Sequence, residues 1–100
     1  MLTNENLLME RYEELIDRNQ RIYRFSSGYG LSLIDFKPGN KFAWSVAIIK
    51  DITDDGSYTV VYTTPLSKAG PLHTDAETNA FIAKAKKLFD VPEYKETDNE

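Results

Sequence analysis

From Lys41 to Pro65 the chain reads KFAWSVAIIKDITDDGSYTVVYTTP, two alternating runs joined by Asp54-Asp55-Gly56, a pattern that predicts a β-hairpin. A three-residue hairpin loop takes a type I turn followed by a residue at positive φ, which glycine adopts without steric cost, so Gly56 fits the last loop position. Thr53 then faces Ser57, Ile52 faces Tyr58, Lys50 faces Val60 and Ile48 faces Tyr62. Alternation collects Phe42, Trp44, Val46, Ile48, Tyr58 and Tyr62 on a bulky face, and Ala43, Ser45, Ala47, Ile49, Thr59, Val61 and Thr63 on a small, more polar one. A two-residue loop at Asp55-Gly56 would slip the register by one and mix large with small side chains, so segregation favours the longer loop.

Two helices are expected to flank the strands. Leu8, Tyr12, Leu15, Ile16 and Ile22 recur at helical spacing, and the pairs Glu14/Arg18 and Asp17/Arg21 have the favourable i,i+4 order, which predicts a helix from about Glu5 to about Arg21. Ser26-Ser27-Gly28-Tyr29-Gly30 breaks it, and Leu31 to Phe36 reads as a strand whose inward residues are either Leu31 and Leu33 or Ile34 and Phe36. Lys37-Pro38-Gly39-Asn40 suits a turn into the hairpin. After a loop rich in breakers, Thr74 and Glu77 form a capping box that opens a second helix, closed by Asp90-Val91-Pro92. The expectation is an α+β two-layer sandwich of order α-β-β-β-α, with a three-stranded antiparallel sheet and two helices on one face. Residues 1–92 form the single domain, and residues 93–100 an acidic, flexible tail.

Composition narrows the classes. The 100 residues, 41% hydrophobic, suffice for one core, and the lack of cysteine excludes disulfides, thiolate metal sites and cysteine nucleophiles. The opening Met-Leu-Thr-Asn-Glu-Asn lacks the basic and apolar pattern of a secretory leader, and no apolar run reaches the length of a membrane span, so a small soluble domain of the cytoplasm is expected. Most of the formal charge of −4 lies in the tail, where Glu93, Glu96, Asp98 and Glu100 outnumber Lys95. A near-neutral body lacks the positive field on which nucleic-acid binding draws.

Candidate chemistry is sparse. His73, the one histidine, precedes a helix start and reads as a loop residue near the cap, since as a general base it needs a partner brought within reach in space. Asp54-Asp55 reads as a turn and the acids Glu10, Glu13, Glu14 and Asp17 as a solvated face, so neither metal nor other cofactor is expected. The glycine pair around Tyr29 lacks the lysine of a phosphate loop and reads as a chain turn, which leaves Tyr29 either as an aromatic loop anchor for a partner or as a core residue. Trp44, Tyr58 and Tyr62 read as core beneath the helices rather than as a base-stacking platform. With both helices on the bulky face, Ala47, Ile49, Thr59, Val61 and Thr63 stay uncovered and form the expected contact surface of a non-enzymatic protein-interaction module, joining a protein partner or a second copy as a homodimer. The element order also matches double-stranded RNA-binding domains, but Asp75 and Glu77 sit where such a domain needs basic side chains. A small enzyme using His73 with carboxylates is the remaining alternative.

Overall fold

The computed structural model describes residues 1–96. Its strands are β1 (Leu7–Glu13), β2 (Arg18–Arg24), β3 (Gly30–Phe36), β4 (Ala43–Lys50) and β5 (Thr59–Val61), followed by the helix α1 (Asp75–Phe89). They form one antiparallel sheet in the order β1-β2-β3-β4-β5, each strand beside its neighbour in sequence. The fold remains α+β, but the expected α-β-β-β-α order with three strands and two helices is overturned.

The correction lies in the first 24 residues. The segment expected as a helix is a β-hairpin, in which Glu10 pairs with Arg21, Tyr12 with Asn19 and Glu13 with Arg18. A single 3-10 turn, Glu14–Ile16, closes it, and Asp17 takes the left-handed conformation at φ 49° with its N–H donated to the Glu14 carbonyl. Aspartate tolerates that conformation better than most residues, so Asp17 is a local reason for the chain to reverse here. Helix preference yields because β2 pairs on both edges, and Gln20, Arg21, Ile22 and Tyr23 are all buried. Arg21 is tolerated inside because its guanidinium meets Glu10 at 2.5 Å and also donates to Asn4 Oδ1, the Thr3 carbonyl and the Tyr23 hydroxyl.

One sheet face packs on α1. Tyr23, Leu31, Leu33, Trp44, Ile48 and Val61 meet Ile82, Ala85 and Phe89 in the main core, which settles the orientation of β3 in favour of Leu31 and Leu33. The predicted capping box forms, with Thr74 Oγ1 accepting from Glu77 N–H and the Glu77 carboxylate accepting from Thr74 N–H. Residues 1–6 run along the helix: the Asn79 side chain bonds Met1 and Thr3, and Lys86 reaches Asn6 and Glu5.

The other face is closed by the segment from Asp51 to Tyr58. The predicted turn is present at its tip, where Thr53 N–H donates to the Ser57 carbonyl and Gly56 sits at φ 89°. Below the turn the ladder slips by one, to Ile48 opposite Val61, Ile49 opposite Val60 and Lys50 opposite Thr59. Asp51, left-handed at φ 55°, is the extra residue that absorbs the slip and swings the turn across the sheet. The segment reaches β1 and β2: Arg11 donates to the Gly56 carbonyl, Gln20 to the Tyr58 hydroxyl, and Arg24 to Asp54 and the Ile52 carbonyl. Gln20 also receives Arg11 Nε at 2.7 Å and donates to Ser32 at 2.8 Å, so the polar groups beneath the turn are bonded rather than stranded. Ile22 and Ile49 are fully buried on this side.

Candidate functional site

The contact surface expected from the sequence does not exist as one face. Val61 lies in the core under α1, whereas Ile49 is sealed on the opposite side of the sheet. Ala47 is half-buried, Thr59 is exposed, and Thr63 is exposed with its hydroxyl bonded to the Glu96 carboxylate. The one-residue slip at Asp51 is the cause, because a shift of one sends every side chain of a strand to the other face. The aromatic trio separates for the same reason. Trp44 is core, Tyr58 holds the turn to Gln20, and Tyr62 is exposed.

Tyr29 is not a free anchor. Its ring stacks on Phe89 at 5.4 Å and meets Tyr94 edge-on at 5.0 Å, and its hydroxyl donates to Glu96. Removal from water, followed by the neighbouring Glu96 carboxylate, pushes its pKa up to about 12. The expected tail is thus docked over its described part, at Tyr94 and Glu96, and residues 97–100 lie outside the described residues.

His73 is exposed, with Nδ1 3.4 Å from the Phe42 carbonyl, and it is its backbone N–H, not its ring, that donates to the Glu77 carboxylate. That carboxylate is engaged at the helix cap, so it is committed to backbone donors. Among the described residues no three His, Asp or Glu side chains converge as metal ligands. A cleft of about 490 Å³ between residues 3–5 and α1 has Ile82 and Ala83 in its wall, and its Lys86 is already held by Asp90 at 3.1 Å and Asn6 at 2.9 Å.

Among the described residues the β1–β2 turn groups three exposed large apolar side chains, whereas Met1, Phe42, Tyr62 and Val91 are exposed singly along the chain. Leu15 is fully exposed and Ile16 is 54% exposed, with Tyr12 beside them. The turn is braced: Tyr12 donates to Asp17 at 2.5 Å, which raises the phenol's pKa, and Asn19 binds the Asp35 carboxylate through both its N–H and its side-chain amide. Ile16 shares a shallow hollow with Phe36, flanked by Arg18 and Lys37. Sequence periodicity had assigned Leu15 and Ile16 to the buried stripe of a helix; the signal pointing elsewhere was Asp17-Arg18-Asn19, a run of turn-tolerant and charged residues directly after them. No helix among the described residues is long and apolar enough to cross a membrane.

Set against known proteins, the chain matches no family model, no curated protein and no solved structure. Its function has to be argued from these residues.

Proposed function

We propose that this protein is a non-enzymatic protein-interaction module, which engages a protein partner or a second copy of itself through the β1–β2 turn. The observation that carries the reading is the pair Leu15 and Ile16, displayed on a turn braced by Tyr12, Asp17 and Asn19. Apolar side chains on a braced turn lose little conformational freedom on docking, which favours their use as contact anchors. The edge of β1 is a poorer surface for strand addition, because a register irregularity between Leu7 and Met9 and the charges of Glu10, Arg11 and Glu13 blunt it.

Leu15→Asp with Ile16→Asp is the informative variant, since both side chains lie outside the core and their loss leaves the sheet intact. For the homodimer, sedimentation velocity is expected to show a concentration-dependent shift in the native chain and none in the variant; a native chain that stays monomeric throughout removes self-association. For a separate partner, a photo-crosslinker at position 15 is expected to give discrete adducts in a cell extract that the Ile16→Asp change abolishes. Adducts indifferent to that change would sink the reading.

A further inference from the structure

The segment after α1 is held in an unusual way. Within Val91–Glu96 the described residues make one backbone–backbone hydrogen bond, from Tyr94 N–H to the Val91 carbonyl, and none to the sheet backbone. The segment is held chiefly by two side chains, with the Glu96 backbone also bearing on the Tyr29 hydroxyl. The Tyr94 ring packs edge-on against Phe89 at 5.1 Å and Tyr29 at 5.0 Å. Two residues on, the Glu96 carboxylate accepts hydrogen bonds from the Tyr29 hydroxyl at 2.9 Å and the Thr63 hydroxyl, and the Lys50 ammonium stands in ion-pair range at 4.0 Å. Those donors keep the Glu96 carboxyl below its ordinary pKa, Thr63 most of all.

An aromatic shelf next to a carboxylate seat of two hydroxyls and an ammonium combines two chemistries that peptide recognition uses, one for a ring and one for a charge. A hollow of about 470 Å³ lies beside the shelf, between Gly28, Tyr29, Lys50 and Ile52 on one side and Pro92, Tyr94 and Lys95 of the resident segment on the other. We infer that this seat recognises an extended partner peptide carrying an aromatic residue two positions before a carboxylate, and that Tyr94-Lys95-Glu96 is its intramolecular competitor. Because the resident segment makes no backbone ladder with the sheet, a peptide bearing the same two side chains offers the seat the same ring and carboxylate contacts. Tethering gives the resident an effective concentration in the millimolar range, so free peptide competes poorly until the resident is weakened. The seat lies at the end of the sheet opposite the β1–β2 turn and is independent of the function proposed there.

The test is a titration of the full-length chain with the hexapeptide Val-Pro-Glu-Tyr-Lys-Glu, followed by NMR at the amides of Gly28, Tyr29, Lys50 and Thr63. In Tyr94→Ala/Glu96→Gln the peptide is expected to shift these amides saturably and to bind roughly tenfold or more tighter than to the native chain. Replacing the peptide's tyrosine by alanine, or its final glutamate by glutamine, is expected to cost a similar factor. Glu96→Gln alone, which keeps Tyr94 on its shelf, is expected to open the carboxylate seat and to restrict the response to Tyr29, Lys50 and Thr63. Absence of a saturable shift at millimolar peptide in both variants, or equal binding of the glutamine peptide, overturns the inference.

Discussion

The two faces of the sheet are sealed by different means. On one, a 15-residue helix lays Ile82, Ala85 and Phe89 over Tyr23, Leu31, Leu33 and Ile48. On the other, a short turn lies across Ile22 and Ile49 and is held through Arg11, Gln20, Arg24 and Tyr58. The interior backbone of the helix is satisfied within the helix, so what it brings to the sheet is chiefly packing. The turn is less self-sufficient, so each carbonyl and hydroxyl it brings to the sheet needs a donor or acceptor waiting there, and β1 and β2 supply them. Packing dominates one side, and polar complementarity the other.

The largest test of this contrast is Phe89→Ala. The ring is fully buried and stacks with Phe25 and Tyr29, so its removal is expected to cost about 3–5 kcal/mol in urea unfolding and to lower the midpoint for the whole chain. A loss confined to the loop amides, with the sheet unaffected, would contradict the idea that the helix side carries the packing.

Gly56→Ala probes the opposite side with a smaller effect. At φ 89° a side chain is strained, and a methyl group would sit 2.7 Å from Arg11 Nη1 and 2.8 Å from Met9 Sδ. A cost of about 1–3 kcal/mol is expected. Hydrogen exchange is expected to quicken at residues 53–57 while the amides of α1 keep their protection, unless the two faces are one cooperative unit.

pH gives the mildest perturbation. A raised folded pKa means that the stability Tyr29 contributes is complete below the unfolded value near 10 and is lost as pH climbs toward about 12. Tyr23 shifts in the same direction through burial. Alkali is therefore expected to loosen the helix side, read as earlier exchange at Phe89 and Tyr94. Glu96 works the other way: its depressed pKa means that its contribution is present above the ordinary carboxylate range and fades in acid as the folded pKa is crossed. Partial exposure screens both effects, so each is expected to be smaller than that of Gly56→Ala.

What the sequence revealed, and what it concealed, follows the range of the interactions. The capping box at Thr74, the turn ending in Gly56 and the strand from Leu31 to Phe36 are set within a few residues, and all three are legible. The hairpin from Leu7 to Arg24 is not, because β2 buries Gln20 and Arg21 on opposite faces beside Ile22 and Tyr23, which erases the alternation that announces a strand. Its polar residues are explained by partners far away in sequence, such as Tyr58 and Thr3. The proposed contact residues were hidden by the same error, since Leu15 and Ile16 look like core until their helix becomes a turn. A single left-handed aspartate, Asp51, then redistributed the face around Ile49 and Val61.

Each strand beside its sequence neighbour also has a consequence for synthesis. As the chain leaves the ribosome, β1 to β4 can pair in order, each closing a short loop onto the one before. The side bearing Tyr23, Leu31, Leu33 and Ile48 nevertheless stays bare until Ile82 and Phe89 have emerged. Until those residues are translated the nascent sheet carries an uncovered apolar surface, so the interval of synthesis between β4 and α1 exposes more adhesive surface than the finished fold does.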